Sequence, residues 1–427
     1  MCAIDARAFF KLSCNRIELD ACLGLDPESL TRRKLEGDST MKERPPASRT
    51  SLYREWPRYE AANEGFRNYW YPVLESRKFG KAPKAVRVVG ESIVLVRDGD
   101  KVHALHNRCP HRGVPLSAGR REFPGTISCI YHGWTYRLAS GELVAALTDG
   151  PDSPICGKAG VRVKTYPVEE RAGIVWVYVG DLAPPPVEED VPAEFLTPEA
   201  VVIPMIELRM GDWRYAMENA VDEAHARYLH RRTPFAFFRL FPAYQTDVRM
   251  VPTEDGKWLH RQSKPVFGPH TYPGLGVWPR DGFWRKAGGQ VIVGMARLPG
   301  VFYIGHKNWH DYQFFTPVDA EHHLMCQIAV RHTKGLGALW WKLRVWSYIR
   351  LFHRIMLNRW EDGFIVEAMD CPPERLFRPD IAIVAWRRWC EINARGIGIG
   401  DAAPAKGAET ATATKPAADD PALRELT

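Results

Sequence analysis

A chain of 427 residues is too long for one compact core, so two or more domains are expected. Hydrophobic residues make up 45% of it, enough to fill those cores, yet no apolar run reaches the roughly 18 residues of a membrane-spanning helix. The net charge of +7 is spread along the chain, without the basic block that nucleic acid requires, and suits at most an acidic protein partner.

Residues 1–60 read as an N-terminal extension, partly disordered, and Met41 opens a polar stretch that could be the true start. No secretory signal core precedes it. Dense structure is expected from Gly65-Phe66-Arg67-Asn68-Tyr69-Trp70-Tyr71-Pro72-Val73 onward. Alternating apolar residues from 84 to 106, interrupted at Arg97-Asp98-Gly99-Asp100, predict a hairpin.

Two loops follow at once. Cys109-Pro110-His111, seventeen residues, then Cys129-Ile130-Tyr131-His132 give the pattern C-x-H-x17-C-x2-H. This is the ligand set of a Rieske [2Fe–2S] cluster, in which two thiolates hold one iron and two imidazoles the other. The competing reading is a Cys2His2 zinc site, but zinc motifs pair Cys with Cys and His with His, whereas here the two types alternate. The other seven cysteines are scattered and odd in number, so a reducing, cytoplasmic setting is expected rather than a disulfide framework. A buried strand, Ile174–Val179, precedes Pro184-Pro185-Pro186 and the acidic Glu188-Glu189-Asp190, which mark a boundary. The expected fold class is α+β. A small all-β Rieske domain covers 61–186, and a catalytic domain of mixed antiparallel sheet and helices covers 187–400. A disordered tail, 401–427, closes the chain.

Within the second domain one helix is predicted over 213–231, strands over 291–304 and 312–330, a long helix over 337–370 and another over 382–392. The first helix carries Glu218, Asn219, Asp222, His225 and His230. Five residues on a regular helix separate the two histidines by roughly 140°, so they converge only if the helix is overwound or carries a π-turn. Two histidines, one carboxylate and open positions make up the site of non-haem Fe(II) oxygenases. Alone, the histidine pair could equally be surface residues. For the carboxylate, the late helix offers Glu361, Asp362, Glu367 and Asp370. Asp362 is selected, with Glu361 and Glu367 read as surface charges and Asp370 as a helix-end residue. Phe235, Phe237, Phe238 and Phe241 supply apolar surface, as core more than as substrate contacts.

The cluster motif together with E-N-x-x-D-x-x-H-x4-H resembles the oxygenase α-subunits of the Rieske non-haem iron ring-hydroxylating oxygenases, over about 65–395 and closest to the homotrimeric branch. GFRNYWYPV, TYPVEERAG, the Trp213 to His230 segment, Glu361–Met369 and Ala382–Trp389 carry that likeness. The resemblance implies Cys109, His111, Cys129 and His132 as cluster ligands, and His225, His230 and Asp362 as ligands of a mononuclear Fe(II). It implies that Asp222 bridges an iron-ligand histidine to a cluster-ligand histidine of the neighbouring subunit, with Asn219 lining the same pocket. It further implies a homotrimer, a small apolar and aromatic substrate, O2, and a separate ferredoxin or NAD(P)H-dependent reductase. Mono- or dioxygenation, O-demethylation, N-oxygenation and oxidation of a sterol or terpenoid all fit the same residues. A plain Rieske electron carrier would leave the second half unexplained. High-potential Rieske proteins carry an extra Cys in each ligand loop and a Ser near the second His. Arg112, Tyr131 and Trp134 stand there instead, which predicts fewer hydrogen bonds to sulfur and a lower potential.

One segment fits none of this. Residues 339–356 are aromatic on one side and basic on the other, expected as a core helix with its arginines reaching solvent. Contact with a membrane surface is the other reading.

Overall fold

The computed structural model describes residues 55–157, 161–230, 244–266, 294–306, 308–351, 361–369 and 374–396. Its seventeen described strands are β1 (Tyr69–Glu75), β2 (Lys84–Val88), β3 (Glu91–Asp98), β4 (Lys101–His106), β5 (Thr126–Ser128), β6 (Trp134–Arg137), β7 (Leu143–Ala146), β8 (Thr165–Tyr166), β9 (Val168–Arg171), β10 (Ile174–Val179), β11 (Ala200–Met210), β12 (Tyr244–Pro252), β13 (Leu259–Val266), β14 (Gly294–Arg297), β15 (Val301–His306), β16 (Trp309–Asp319) and β17 (His322–His332). Strands β2-β3-β4-β8 form one sheet, β5-β6-β7 a second and β1-β10-β9 a third; β11-β17-β16-β15-β14-β13-β12 form the largest. Every pairing is antiparallel, so the class is α+β as the sequence predicts.

The segments 291–304 and 312–330 divide more finely than periodicity suggests. The first holds a turn between β14 and β15, and the second a tight reversal at Asp319–His322 between β16 and β17. The first turn, at Leu298-Pro299-Gly300, has apolar residues on both sides, so hydropathy alone runs across it; the second, Asp319-Ala320-Glu321-His322, is a polar break that the expectation of one strand over 312–330 passes over.

The six described α-helices are α1 (Pro57–Ala61), α2 (Trp213–Val221), α3 (Glu223–Leu229), α4 (Leu336–Arg344), α5 (Asp362–Ala368) and α6 (Ile381–Asn393). The single helix expected over 213–231 is two. Asp222 takes an extended conformation (φ −79°, ψ 98°), ends α2 and caps α3, its carboxylate accepting from the N–H groups of Ala224 and His225. An aspartate satisfies the orphan donors of a helix start better than it sits inside a helix. Of the helix expected over 337–370, α4 continues into a π-helical turn at Val345–Ile349, and α5 lies near its end. Residues 352–360, Asp370, the four phenylalanines at 235–241 and the tail from 401 lie outside the described residues.

Two cores matter for the site. Val94, Val96, Leu105, Leu116, Ile127, Tyr136 and Leu143 pack around the sulfurs of Cys109 and Cys129. A larger core joins Tyr59, Phe66, Tyr71, Val175 and Val177 to Trp213, Met217, Phe315 and Trp386. Trp213 anchors α2 there. Its indole donates to the Ala62 carbonyl at 2.8 Å, and its ring meets Phe66 edge-on at 5.6 Å. Truncating such a side chain costs about 3–5 kcal/mol, which gives the scale on which α2 is held.

Candidate functional site

The two cluster loops are the same turn built twice. Cys109 N–H donates to the Val114 carbonyl and Gly113 N–H returns to Cys109 (2.9 and 2.8 Å). Cys129 N–H donates to the Trp134 carbonyl and Gly133 N–H returns to Cys129 (2.8 and 3.0 Å). Both turns need a positive φ, +80° at Gly113 and +64° at Gly133, which glycine adopts without steric cost. Each turn thereby buries its cysteine, 2% exposed at Cys109 and 3% at Cys129, and leaves its histidine nearer the surface, His111 exposed and His132 half-buried. The Nδ1 atoms of His111 and His132 stand 3.1 Å apart, and the Trp134 ring stacks on His111 with centroids 4.7 Å apart.

This donor set suits a [2Fe–2S] group with one iron on buried thiolates and one on the more accessible imidazoles of His111 and His132. Burial pushes the Cys129 thiol up, the N–H groups of Tyr131 and His132 pull it down, and Cys109 beside it pushes it up again. Two sulfurs crowded in an apolar core need cations to ionise together. The sequence reading missed one partner. The Tyr136 hydroxyl lies 3.2 Å from Cys109 Sγ, inside the core. Burial and the adjacent Cys109 keep that phenol protonated, so it can serve as donor. This is a sulfur contact that the comparison at Arg112, Tyr131 and Trp134 did not count. The available signal was a tyrosine four residues after His132.

The second site is assembled from α3 and α5. His225 lies within α3, and His230 caps its C-terminus with φ −85° and ψ 7°. Because His230 has left the helical path, the 140° separation does not apply. The chain tightens to 3-10 conformation at His230, the overwound geometry that the sequence allows, and the ring centroids stand 5.4 Å apart. Helix α5 comes close at Gly211, where a Cβ would stand 2.7 Å from Val366 Cγ1. Asp362, the first residue of α5, then places Oδ1 3.5 Å from His225 Nε2 and 3.3 Å from His230 Nε2. The three side chains offer ligand atoms all within 4.8 Å of one another.

Two features fit a metal. The Asp362 Oδ1 atom is buried and has no hydrogen bond of acceptable geometry, although two imidazole nitrogens face it. An orphaned carboxylate oxygen in such a place is costly unless a cation fills the gap. Both imidazoles also present Nε2 because Nδ1 is used elsewhere. His225 Nδ1–H donates to the Asp222 carbonyl, and His230 Nδ1–H donates to Glu361 Oε2 at 2.7 Å. Such bonds set tautomer and orientation of metal-binding histidines. Burial raises the Asp362 carboxyl, but the two imidazoles outweigh it and hold the group well below the usual range. Burial would lower His230, yet Asp362 and Glu361 lift it to about 9. The metal-free pocket therefore keeps a proton that a divalent ion would displace.

Glu361 is a correction. It was expected at the surface, but its side chain is only 16% exposed and binds His230. Its neighbour Glu367 is exposed as expected. The Asp222 carboxylate is engaged in capping α3, with Oδ2 3.8 Å from His225 Nδ1. Asn219 is buried on α2. Glu218, the first residue of the sequence motif, is structural. Arg387 of α6 grips it from two nitrogens at 2.8 Å each, and the Tyr59 hydroxyl donates at 2.9 Å.

Comparison with known proteins gives the same picture. A family model described as the Rieske [2Fe-2S] domain matches residues 69–167, and one described as homotrimeric ring hydroxylase matches 178–243. The terminal oxygenase component of carbazole 1,9a-dioxygenase from Metapseudomonas resinovorans is 39% identical over 371 residues, covering 80% of this chain and 94% of that one. The solved terminal oxygenase of carbazole 1,9a-dioxygenase from Novosphingobium sp. KA1 superposes with a TM-score of 0.70 at 30% identity, over 82% of this chain and 99% of that chain. A reduced complex between oxygenase and ferredoxin in carbazole 1,9a-dioxygenase gives 0.69 at 27% identity, over 81% and 94%. With paired Cys–His loops and a two-histidine, one-carboxylate pocket in one chain, and relatives matched along nearly their whole length, this protein belongs to the Rieske non-haem iron ring-hydroxylating oxygenases, as an oxygenase component.

Proposed function

We propose that this chain is the terminal component of a multi-protein oxygenase that hydroxylates an apolar, aromatic substrate with O2, working in the cytoplasm as a homotrimer. Electrons would come from a separate ferredoxin and an NAD(P)H-dependent reductase. The observation that carries the reading is Asp362 Oδ1, buried and unsatisfied between two imidazole nitrogens on the same chain as the paired Cys–His loops. Cys109, His111, Cys129 and His132 would hold the cluster, and His225, His230 and Asp362 the ferrous ion. When bound, the cluster relays single electrons and the ferrous ion activates O2 beside the substrate.

The chain's own residues do the rest. Glu361 and the Asp222 carbonyl orient the two imidazoles, so both Nε2 atoms point one way. The Arg387–Glu218–Tyr59 network fixes α2, and through it the capped start of α3. Asp222, 19% exposed, would bridge to a cluster histidine of a neighbouring subunit, and Asn219 would border the substrate pocket. Exposed Ile130 and Tyr131, beside the histidine pair, offer apolar surface to a docking partner. We place the domain limits at 61–186 and 187–400, between extensions at either end. The core shared by Tyr71, Val175 and Trp213 implies that these domains fold against each other.

Anaerobic reconstitution tests the assignment. Wild type should take up about three irons per chain and Asp362→Ala about two, with the cluster absorbance unchanged. Nitric oxide should give a mononuclear ferrous adduct in wild type alone, and NADH without added reductase should support no turnover. An adduct of equal intensity in Asp362→Ala would refute the ligand set.

A further inference from the structure

The helix beginning at Leu336 has two apolar faces, and only one is covered. Trp341 and Val345 are buried, against Ala329 and partly buried Val201, Ile203, Met205 and Trp309. This corrects the expectation of a core helix, because the opposite side is fully displayed. Leu336, Leu339, Trp340, Leu343 and Trp346 are 85%, 56%, 62%, 58% and 69% exposed. At 100° per residue these five side chains fall within an arc of roughly 120°. Lys342 borders one edge of the arc and Arg344 the other, and both are exposed. A groove of about 330 Å³, lined by Trp340, Leu343, Arg344 and Ser347, opens on the same side.

The charge of the region is one-sided. Between Glu321 and Glu361 the sequence contains seven Lys and Arg and no Asp or Glu. An apolar row of this size facing water is unfavourable and marks a contact surface. Leucines along the centre, a tryptophan at each edge and a cation beyond each is the arrangement of helices that lie in a lipid interface, where the ammonium and guanidinium groups reach the headgroups. In a contact between two copies of this chain the rim cations would need acids opposite them, and the stretch between Glu321 and Glu361 has none to offer. Helix α4 and the π-helical turn after it extend only about 21 Å, and no described helix is long and apolar enough to cross a membrane. An element of this length can lie along a bilayer surface but cannot span one.

We propose that Leu336–Trp346 docks this oxygenase on an anionic lipid surface, with Trp340, Leu343 and Trp346 in the acyl boundary and Lys342 and Arg344 on the headgroups. The proposal is independent of the iron chemistry, so it can fail while the oxygenase reading stands.

Flotation of the reconstituted full chain with vesicles tests it, using phosphatidylglycerol mixed with phosphatidylcholine, or phosphatidylcholine alone. Partition into the anionic vesicles should be at least about tenfold greater, and should fall at high salt. Trp340→Ser with Trp346→Ser should lose binding. Lys342→Glu with Arg344→Glu, which alters only exposed groups, should lose it too while the cluster spectrum is unchanged. Wild type that stays unbound with both lipids, or binds both equally, overturns the proposal. So does a tryptophan variant whose mass in solution drops while flotation persists, since the strip would then join copies of this chain.

Discussion

Replacing Tyr136 by Phe removes one hydroxyl and leaves the ring packing in place. That hydroxyl sits 3.2 Å from Cys109 Sγ, in a core where Tyr136 is fully buried and no water competes. A hydrogen bond to a charged acceptor is worth about 1.5–3 kcal/mol. Only its strengthening on reduction, when the sulfurs gain negative charge, moves the potential. Taking half of the lower-to-middle range gives about 1 kcal/mol, and at 59 mV per tenfold for one electron this is about 40 mV. The potential of Tyr136→Phe should fall by about that amount, as followed by a redox titration of the reduced cluster's EPR signal. Equal iron content and melting temperature would show that the core is intact. An unchanged or higher potential would refute the claim that the phenol donates to this sulfur.

Glu361→Gln leaves a weaker acceptor for His230 Nδ1–H, and ferrous affinity should drop about 10- to 100-fold with two irons retained in the cluster, measured by iron titration. Arg387→Leu strands Glu218 in the core and should destabilise the fold by about 3–5 kcal/mol, measured by chemical denaturation. Adding Glu218→Gln should recover part of this. The His323 ring, held to the Gly211 carbonyl at 2.9 Å, is lowered by burial to about 4. The unfolded chain binds that proton first. The stability it contributes is complete above about 6.5 and is lost as pH falls toward 4. His323→Asn should flatten that part of the pH dependence of the melting temperature relative to wild type; identical pH slopes would contradict the assignment.

The amino-acid sequence by itself determined the chemistry that is local. Cys109 and His111 are two residues apart, and Cys129 and His132 three, so alternating donor types declare the cluster motif without any long-range information. Antiparallel strands were legible from alternation. The reversal at Pro299 was hidden by the apolar residues on either side of it, whereas the polar Asp319-Ala320-Glu321 at the other reversal was a break that the single strand read over 312–330 ran across. The kink at Asp222 was written in its residue type, an N-cap followed by Glu and Ala, but a helical pattern on both sides concealed it. Only the tertiary structure decided how Asp362 meets two histidines more than a hundred residues away. It also showed that both Glu361 and Asp362 face that pocket, one oriented toward the metal position and one toward the far side of a ring. Composition cannot distinguish adjacent acids on a helix start, since the choice rests on where Gly211 lets α5 approach. The same holds for α4, whose two apolar stripes are equivalent in sequence until Ala329 and Trp309 cover one of them.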